Sequence, residues 1–419
     1  MFSKKFWENF VREYWKKQPG VFHSVHQPLI QTEEQIYEGL LDVSATLREG
    51  KVATIRFYIE HSSLQVNLLE YLPLPADGSL TNYLQRIRGK VDNRSFALVT
   101  NKFHLHQPNL WLCLRQIFYE FYLLVGIPED TVVAAFVGNY ATTPFGVHTD
   151  SDSTFYFILK GHKRVHLWPY EFAKEHNAPW PQRVAGGSTD YLRYLDEAIT
   201  LEGNPGDLLY WPAHYWHVAE SDDCDSVTLS IGMPKPSSCF VGDMLAEKIR
   251  ERIPNYTEMM HSVLMSPAMY DKLVLPAPIV RAKKEYENTL SNMNDDLQEH
   301  WLNRISSLGY RYVPTPRTWV SLLDHDWLTA IPGSLVCFQR AEQEFLCSSL
   351  GHSFRLPYHP KLKDLLNCIA KGGRWQVIEL FKKYTDEALT ERGLRTLLEK
   401  LNSLRVISVE KCDRPQTAL

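Results

Sequence analysis

The sequence predicts an α+β protein: a β-sandwich or barrel over residues 131–238 with helical segments on both sides. Three observations predict it. From Thr131 to Pro236, short β-rich runs ("TVVAAFV", "STFYFIL", "RVHLW", "DLLYW", "YWHVAE", "SVTLSIGM") alternate with turn signals, the pattern of a sandwich or closed barrel. Outside that stretch, apolar residues recur at helical spacing. "PKPSS" at 234–238 then marks a boundary. At 419 residues the chain is too long for one ordinary domain. Four parts are expected: 1–130, an α/β part packing on the core; 131–238, the core; 239–350, a helical segment; and 351–419, a winged-helix-like unit.

The N-terminal part opens with Phe6, Phe10, Val11 and Tyr14 at helical spacing, stopped by Pro19. A second helix is expected over 32–50, with Thr32 as its cap and Gly50 as its stop. "VATIRFYIE" (52–60) reads as a strand. "LWLCLRQIFYEFYLLVG" (110–126) is apolar nearly all round and reads as a buried helix. After the core, 280–308 is one long charged helix, either solvated or part of a homodimer interface. The run "PKLKDLLNCIA", "RWQVIELFKKY", "TERGLRTLLEKLNSL", "RVISVE" gives helix, helix, helix, strand, the order of a small winged helix. Thirteen Lys/Arg against eight Asp/Glu over 355–414 is a solvated surface rather than a DNA-binding one.

Composition excludes several classes. A net charge of −4 argues against an electrostatic nucleic-acid binder. No apolar run approaches the roughly 20 residues of a membrane helix. The charged opening "MFSKKFWENFVREYWKK" lacks the apolar stretch of a signal peptide. Seven scattered cysteines without a C-x-x-C pair argue against a disulfide framework or a zinc ribbon. A cytoplasmic protein is the expectation.

The chemistry lies in "FGVHTDSDSTFYFILKGHKRVHLWP" (145–169). His148 and Asp150, two apart, share a face in extended chain. Continued extension brings Thr154, Tyr156 and Ile158 to that face. Gly161-His162 fits a two-residue hairpin loop, which returns Lys163, Val165 and Leu167 to the same side and sends Arg164 and His166 to the other. Lys160 and Lys163 then either flank an exposed tip, or Lys163 is buried and requires an anion such as a ligand carboxylate. A third metal ligand is expected from "GNPGDLLYWPAHYWHVAESDD" (203–223). His217 lies in a β-run, whereas His214 follows Pro212 in a loop. Two histidines and one carboxylate form the ligand set of non-heme Fe(II) oxygenases. The insertion 176–197, with Gly186-Gly187 and three aromatics, is either a lid over the substrate or an ordinary surface loop.

"GVHTDSDSTFYFILKGHKRVHLWP" followed by "PGDLLYWPAHYWHVAES" resembles the JmjC/cupin-type Fe(II)- and 2-oxoglutarate-dependent oxygenases, nearest in layout to ribosomal oxygenases and asparaginyl hydroxylases. "FVREYWKKQPGVF" resembles the lead-in of the ribosomal enzymes. The resemblance implies a double-stranded β-helix (jelly-roll) core. It places the iron ligands on His148, Asp150 and His217, and the grip on the far carboxylate of 2-oxoglutarate on Lys163, where ribosomal oxygenases typically carry arginine. Co-substrate pocket positions fall on Thr154 and Tyr156, and also on Tyr140, Thr228 and Ser230. Fe(II), 2-oxoglutarate and O2 are the implied cofactor and co-substrates. Asp150 favours hydroxylation over halogenation, because halogenating relatives carry a small residue there. The expected reaction is hydroxylation of an unactivated C–H of an amino-acid side chain in a protein or peptide. Alternatives are an oxygenase acting on a free or carrier-bound amino acid, a cupin metalloenzyme that does not use 2-oxoglutarate, and a non-catalytic scaffold.

Overall fold

The structure is a computed structural model that describes residues 2–25, 33–64, 67–180, 190–222, 225–234, 240–252, 277–291, 293–334 and 336–412. The N-terminal part runs α1 (Lys4–Glu13), β1 (Gly20–Phe22), α2 (Glu33–Arg48), β2 (Ile55–Ile59), β3 (Ser62–Ser63), α3 (Leu80–Lys90), β4 (Phe96–Asn101) and α4 (Pro108–Val125). The Ser3 hydroxyl caps α1 by accepting from the Phe6 amide at 3.2 Å, and Trp7 and Phe10 turn inward. The Trp7 indole N–H donates to the Ile117 carbonyl at 3.0 Å, which ties α1 to α4. Thr32, expected as the α2 cap, lies outside the described residues.

The core continues with β5 (Val132–Gly138), β6 (His148–Thr149), β7 (Asp152–Lys160), β8 (Lys163–Trp168), α5 (Phe172–Glu175), β9 (Ile199–Gly203), β10 (Leu208–Trp211), β11 (Trp216–Ser221) and β12 (Ser226–Pro234). Two antiparallel sheets form, in the orders β1-β10-β7-β12-β5-β4-β2-β3 and β6-β11-β8-β9. Between them lies an apolar layer of Tyr156, Ile158, Leu209 and Trp211 from the larger sheet and Val165, Leu167, Leu201 and Ala219 from the smaller. This is the jelly-roll sandwich expected of the region. The opposite face of the larger sheet, with Phe155, Phe157, Tyr210, Leu229 and Ile231, packs on Trp7, Phe10, Phe118 and Phe121 of the helices. Each such fully buried side chain stabilises by about 1.5–3 kcal/mol. The helical layer therefore covers that face of the larger sheet and leaves its other face turned toward the smaller sheet.

One local expectation is wrong. Strands β7 and β8 do not form a hairpin: β7 pairs with β10 and β12, and β8 with β11 and β9. Gly161-His162 is a corner between the two sheets. Lys160 turns outward to Glu33 (2.9 Å), whereas Lys163 turns inward and is fully buried. Glycine is still required. Gly161 has φ +79°, and a Cβ there would meet the Asp225 carbonyl oxygen at 2.9 Å. The extended run assumed from His148 to Ile158 is also broken, because β6 belongs to the smaller sheet and β7 to the larger. The shared face survives because inward is the same direction for both sheets.

After the core come α6 (Phe240–Arg252), α7 (Ala277–Ser291), α8 (Asn294–Ser307), β13 (Trp327–Ala330), β14 (Val336–Ala341), β15 (Glu344–Ser349), β16 (His352–Pro357), α9 (Pro360–Ala370), β17 (Arg374–Gln376), α10 (Val377–Tyr384), α11 (Glu391–Ser403) and β18 (Ile407–Glu410). The single helix expected over 280–308 is two, α7 and α8, with buried Met293 at the joint. The segment 239–350 is not helical throughout: β14-β15-β16 form a three-stranded meander. The boundary expected at 350/351 falls inside that meander, at the Leu350-Gly351 turn, where both residues have positive φ. Sheet β17-β13-β18 likewise joins strands from either side of it. The order helix, helix, helix, strand over 360–410 appears as α9, α10, α11, β18, with β17 added before α10. Among the described residues no helix is long and apolar enough to cross a membrane.

Candidate metal centre

His148 on β6 and His217 on β11 are directly opposed across an antiparallel pair, so their imidazoles lie side by side with ring centroids 4.1 Å apart. Asp150 follows where the chain leaves β6 for the larger sheet. Its backbone carbonyl accepts from the His214 amide at 2.8 Å, which fixes that crossing. Asp150 Oδ2 then lies 3.7 Å from Nε2 of each histidine. The candidate ligand atoms of the three residues all lie within 4.8 Å of one another.

The histidine tautomers follow from their other nitrogens. Nδ1 of His148 faces the Gly146 carbonyl at 3.0 Å, and Nδ1 of His217 faces the Tyr215 carbonyl at 3.0 Å. A carbonyl only accepts, so each Nδ1 carries a hydrogen, which leaves Nε2 of each ring as the atom that could ligate a metal beside Asp150. Both acceptors lie two residues before their histidine. Burial, reinforced by His217 alongside, pushes the His148 imidazole down to about 4. It is therefore neutral at neutral pH, the form that ligates metal. Both rings are buried, while the Asp150 side chain is 46% exposed, so the centre opens on the carboxylate side. Phe145 meets His148 edge-on at 4.7 Å and Trp211 lies 5.2 Å from His217, screening the nitrogen donors. The donor set, its spacing and its tautomers fit a 2-His-1-carboxylate metal site.

Further into the sandwich, Lys163 Nζ donates to the Tyr140 hydroxyl at 3.0 Å and to the Ser221 hydroxyl, and sits 4.1 Å from the Tyr140 ring centre. Ser221 opposes Lys163 across β11–β8 and lies four residues along β11 from His217, about 13 Å at the rise of a strand. The Thr228 hydroxyl donates to the Tyr156 hydroxyl at 3.0 Å. Burial drives the Tyr140 phenol well above its ordinary value and Tyr156 up to about 12, so both stay protonated donors. Thr154 lines the same interior, buried opposite Gly232 and Trp211. Ser230, beside Tyr156 on β12, is partly buried on that face.

All nine residues singled out from the sequence therefore face one interior. His214 is a loop residue with φ +68° and acts through its backbone. Ser221 was not among the candidates. Its signal was legible: it continues the 217, 219, 221 alternation that Ala219 had begun. Phe145, Trp211 and the two carbonyls gave no comparable signal, since their roles depend on register. Of the insertion 176–197, Trp180, Tyr191 and Tyr194 are buried against Trp168 and Trp216 on the outer face of the smaller sheet. The ends of the segment are thus pinned away from the metal ligands, and Gly186-Gly187 lie outside the described residues.

Residues 123–239 match the family model described as the JmjC domain. Among solved structures the chain is similar to Escherichia coli YcfD, with 17% identity, 96% of this chain and 98% of that one covered, and a TM-score of 0.51. A second structure of YcfD, described as a ribosomal oxygenase from Escherichia coli, matches with 15% identity over 97% and 98% of the two chains, TM-score 0.51. A third, of that oxygenase in complex with cobalt and 2-oxoglutarate, matches with 16% identity over 97% and 98%, TM-score 0.50. The likeness runs through the helices and sheets that follow the core as well as through the core itself.

Proposed function

Starting from a chain that carries a JmjC domain over residues 123–239, we propose that it is an Fe(II)- and 2-oxoglutarate-dependent oxygenase that hydroxylates an unactivated C–H of a side chain in a protein or peptide. The observation that carries this reading is the pair of opposed histidines presenting Nε2 toward Asp150, with a buried lysine further along the same interior. When bound, Fe(II) and 2-oxoglutarate couple decarboxylation of the keto acid to succinate and carbon dioxide with transfer of the second oxygen atom of O2 into the substrate C–H bond. His148, Asp150 and His217 would hold the metal from one side and leave its other positions to the co-substrates.

Lys163, with the Tyr140 and Ser221 hydroxyls beside it, would receive the far carboxylate through charge-assisted hydrogen bonds. Protonated Tyr156 and Thr228 add polar groups beside that end, with Thr154 and Ser230 on the same wall. Ile158, Val165 and Leu167 make the neighbouring interior apolar, which would strengthen those contacts. The substrate would approach from the side on which Asp150 is exposed. A protein substrate is supported by the likeness to a structure described as a ribosomal oxygenase. In the same proposal, α9–α11 with their small sheet are read as a winged helix. A homodimer interface would fall on α7 and α8, where Tyr286, Leu290 and Trp301 are exposed.

Succinate release by the Fe(II)-loaded protein, followed with 2-oxoglutarate and O2, tests the activity. We expect Asp150→Ala to abolish it and to weaken Fe(II) binding. A variant that still releases succinate at the parental rate sinks the assignment. Mass spectrometry of ribosomal proteins incubated with the enzyme, searching for a gain of one oxygen, tests the substrate class.

A further inference from the structure

The junction between α4 and the C-terminal half holds a buried charge that the oxygenase reading leaves unused. Arg115 on α4 is 1% exposed. Its Nη2 donates to the Ser306 carbonyl at 2.8 Å and, at 3.5 Å, to that of Gly333. The N–H bonds of Nε and Nη1 are buried and meet no acceptor among the described residues. The titratable groups around the guanidinium are Tyr310, Tyr122 and Cys337, none of them a carboxylate. A buried cation in that position is costly unless an anion joins it.

A cleft of about 330 Å³ opens at this residue, with Arg115 and Leu308 at its buried end, Tyr119 and Ala370 at its rim, and Gly333 and Ser334 along one side. Among the described residues Arg115 is the sole charged one that lines it. The surrounding surplus is of donors: the Trp111 indole N–H, whose ring lies 5.0 Å from the guanidinium, and the Tyr310 hydroxyl are also buried without a partner among the described residues.

We propose that this cleft binds a small oxyanion, of the carboxylate or tetrahedral phosphate class, against Arg115. The anion would complete the guanidinium's hydrogen bonding. It would also join three parts of the fold at one point: α4 of the oxygenase core, the end of α8, and the 331–334 link beside α9. The site lies on the helical side of the larger sheet and is separate from the metal centre within the sandwich. It is independent of the reaction proposed above.

Calorimetric titration of the full-length protein with sodium sulfate, and separately with sodium acetate, against sodium chloride at matched ionic strength tests this. We expect saturable binding of at least one, sulfate pointing to the tetrahedral class and acetate to carboxylates. Arg115→Gln should weaken it at least about tenfold, the effect of losing hydrogen bonds to a charged group. Ala370→Glu, at an exposed helix end that accepts glutamate without disturbing the core, should place a competing carboxylate in the cleft and abolish binding. Should Arg115→Gln not fold, Ala370→Glu decides alone. The proposal is overturned if the parent binds neither anion saturably, or if binding persists unchanged in either folded variant.

Discussion

At the scale of single residues, two buried basic groups carry separate predictions. Lys163 is buried against the Tyr140 and Ser221 hydroxyls, where the proposed function puts the far carboxylate of 2-oxoglutarate. Lys163→Ala should therefore raise the 2-oxoglutarate concentration needed for half-maximal succinate release by at least about tenfold. An unchanged requirement would remove Lys163 from the co-substrate site. His104 gives up its charge. Burial pushes it down to about 4, and its Nε2 is held at 2.9 Å from the Tyr312 carbonyl. The unfolded chain protonates this histidine near 6.5 and the folded chain does not, so stability falls as pH drops from 6.5 toward 4 and is flat above. The loss amounts to about 3 kcal/mol at 1.36 kcal/mol per unit. Asp152, raised to about 6 by burial, acts in the opposite sense over part of the same range. Comparison of thermal midpoints for parent and His104→Gln between pH 4 and 7 isolates the histidine. The variant should show the shallower acid limb.

At the scale of elements, the decisive contacts are the β6–β11 pair and the corner at Gly161-His162. Alternation identified which residues face inward, because each strand keeps its period regardless of its partner. It could not identify the partner. A glycine followed by a polar residue suits a hairpin loop, and it equally suits a sharp passage between two packed sheets. Which one forms depends on whether Val165 and Leu167 find apolar cover beside β7 or across from it, and they find it across. Gly161→Ala should cost about 1–3 kcal/mol, from the left-handed φ and the contact with the Asp225 carbonyl. Urea midpoints check this, and a neutral substitution would show that the corner relaxes. The opposed register of His148 and His217 was equally hidden, since nothing in "HTD" or "HYWH" states that the two segments pair.

At the scale of the whole molecule, the two largest apolar cores among the described residues are built by different parts of the chain. One joins the N-terminal helices to the larger sheet. The other is made by Leu328, Phe345, Leu365, Leu366, Phe381, Leu394 and Leu398 of the C-terminal half. Leu398→Ala, at a fully buried site, should cost about 2–5 kcal/mol locally. Hydrogen exchange should show lost protection in α9–α11, with β7 and β12 unaffected. Equal loss in both would mean that the two cores unfold as one.

The sequence by itself determined the class of the central fold, the inward faces of its strands and the three candidate metal ligands, and it left Lys163 either exposed at a tip or buried. These follow from period and residue chemistry, which are local. Only the tertiary structure decided that β7 and β8 part into different sheets, that Ser221 stands beside Lys163, and that a meander interrupts the expected helical segment. It also placed Arg115 of the core beneath Ser306 and Gly333, residues far away along the chain. Such pairings are set by which apolar faces cover one another across the whole chain, and no local pattern carries that information.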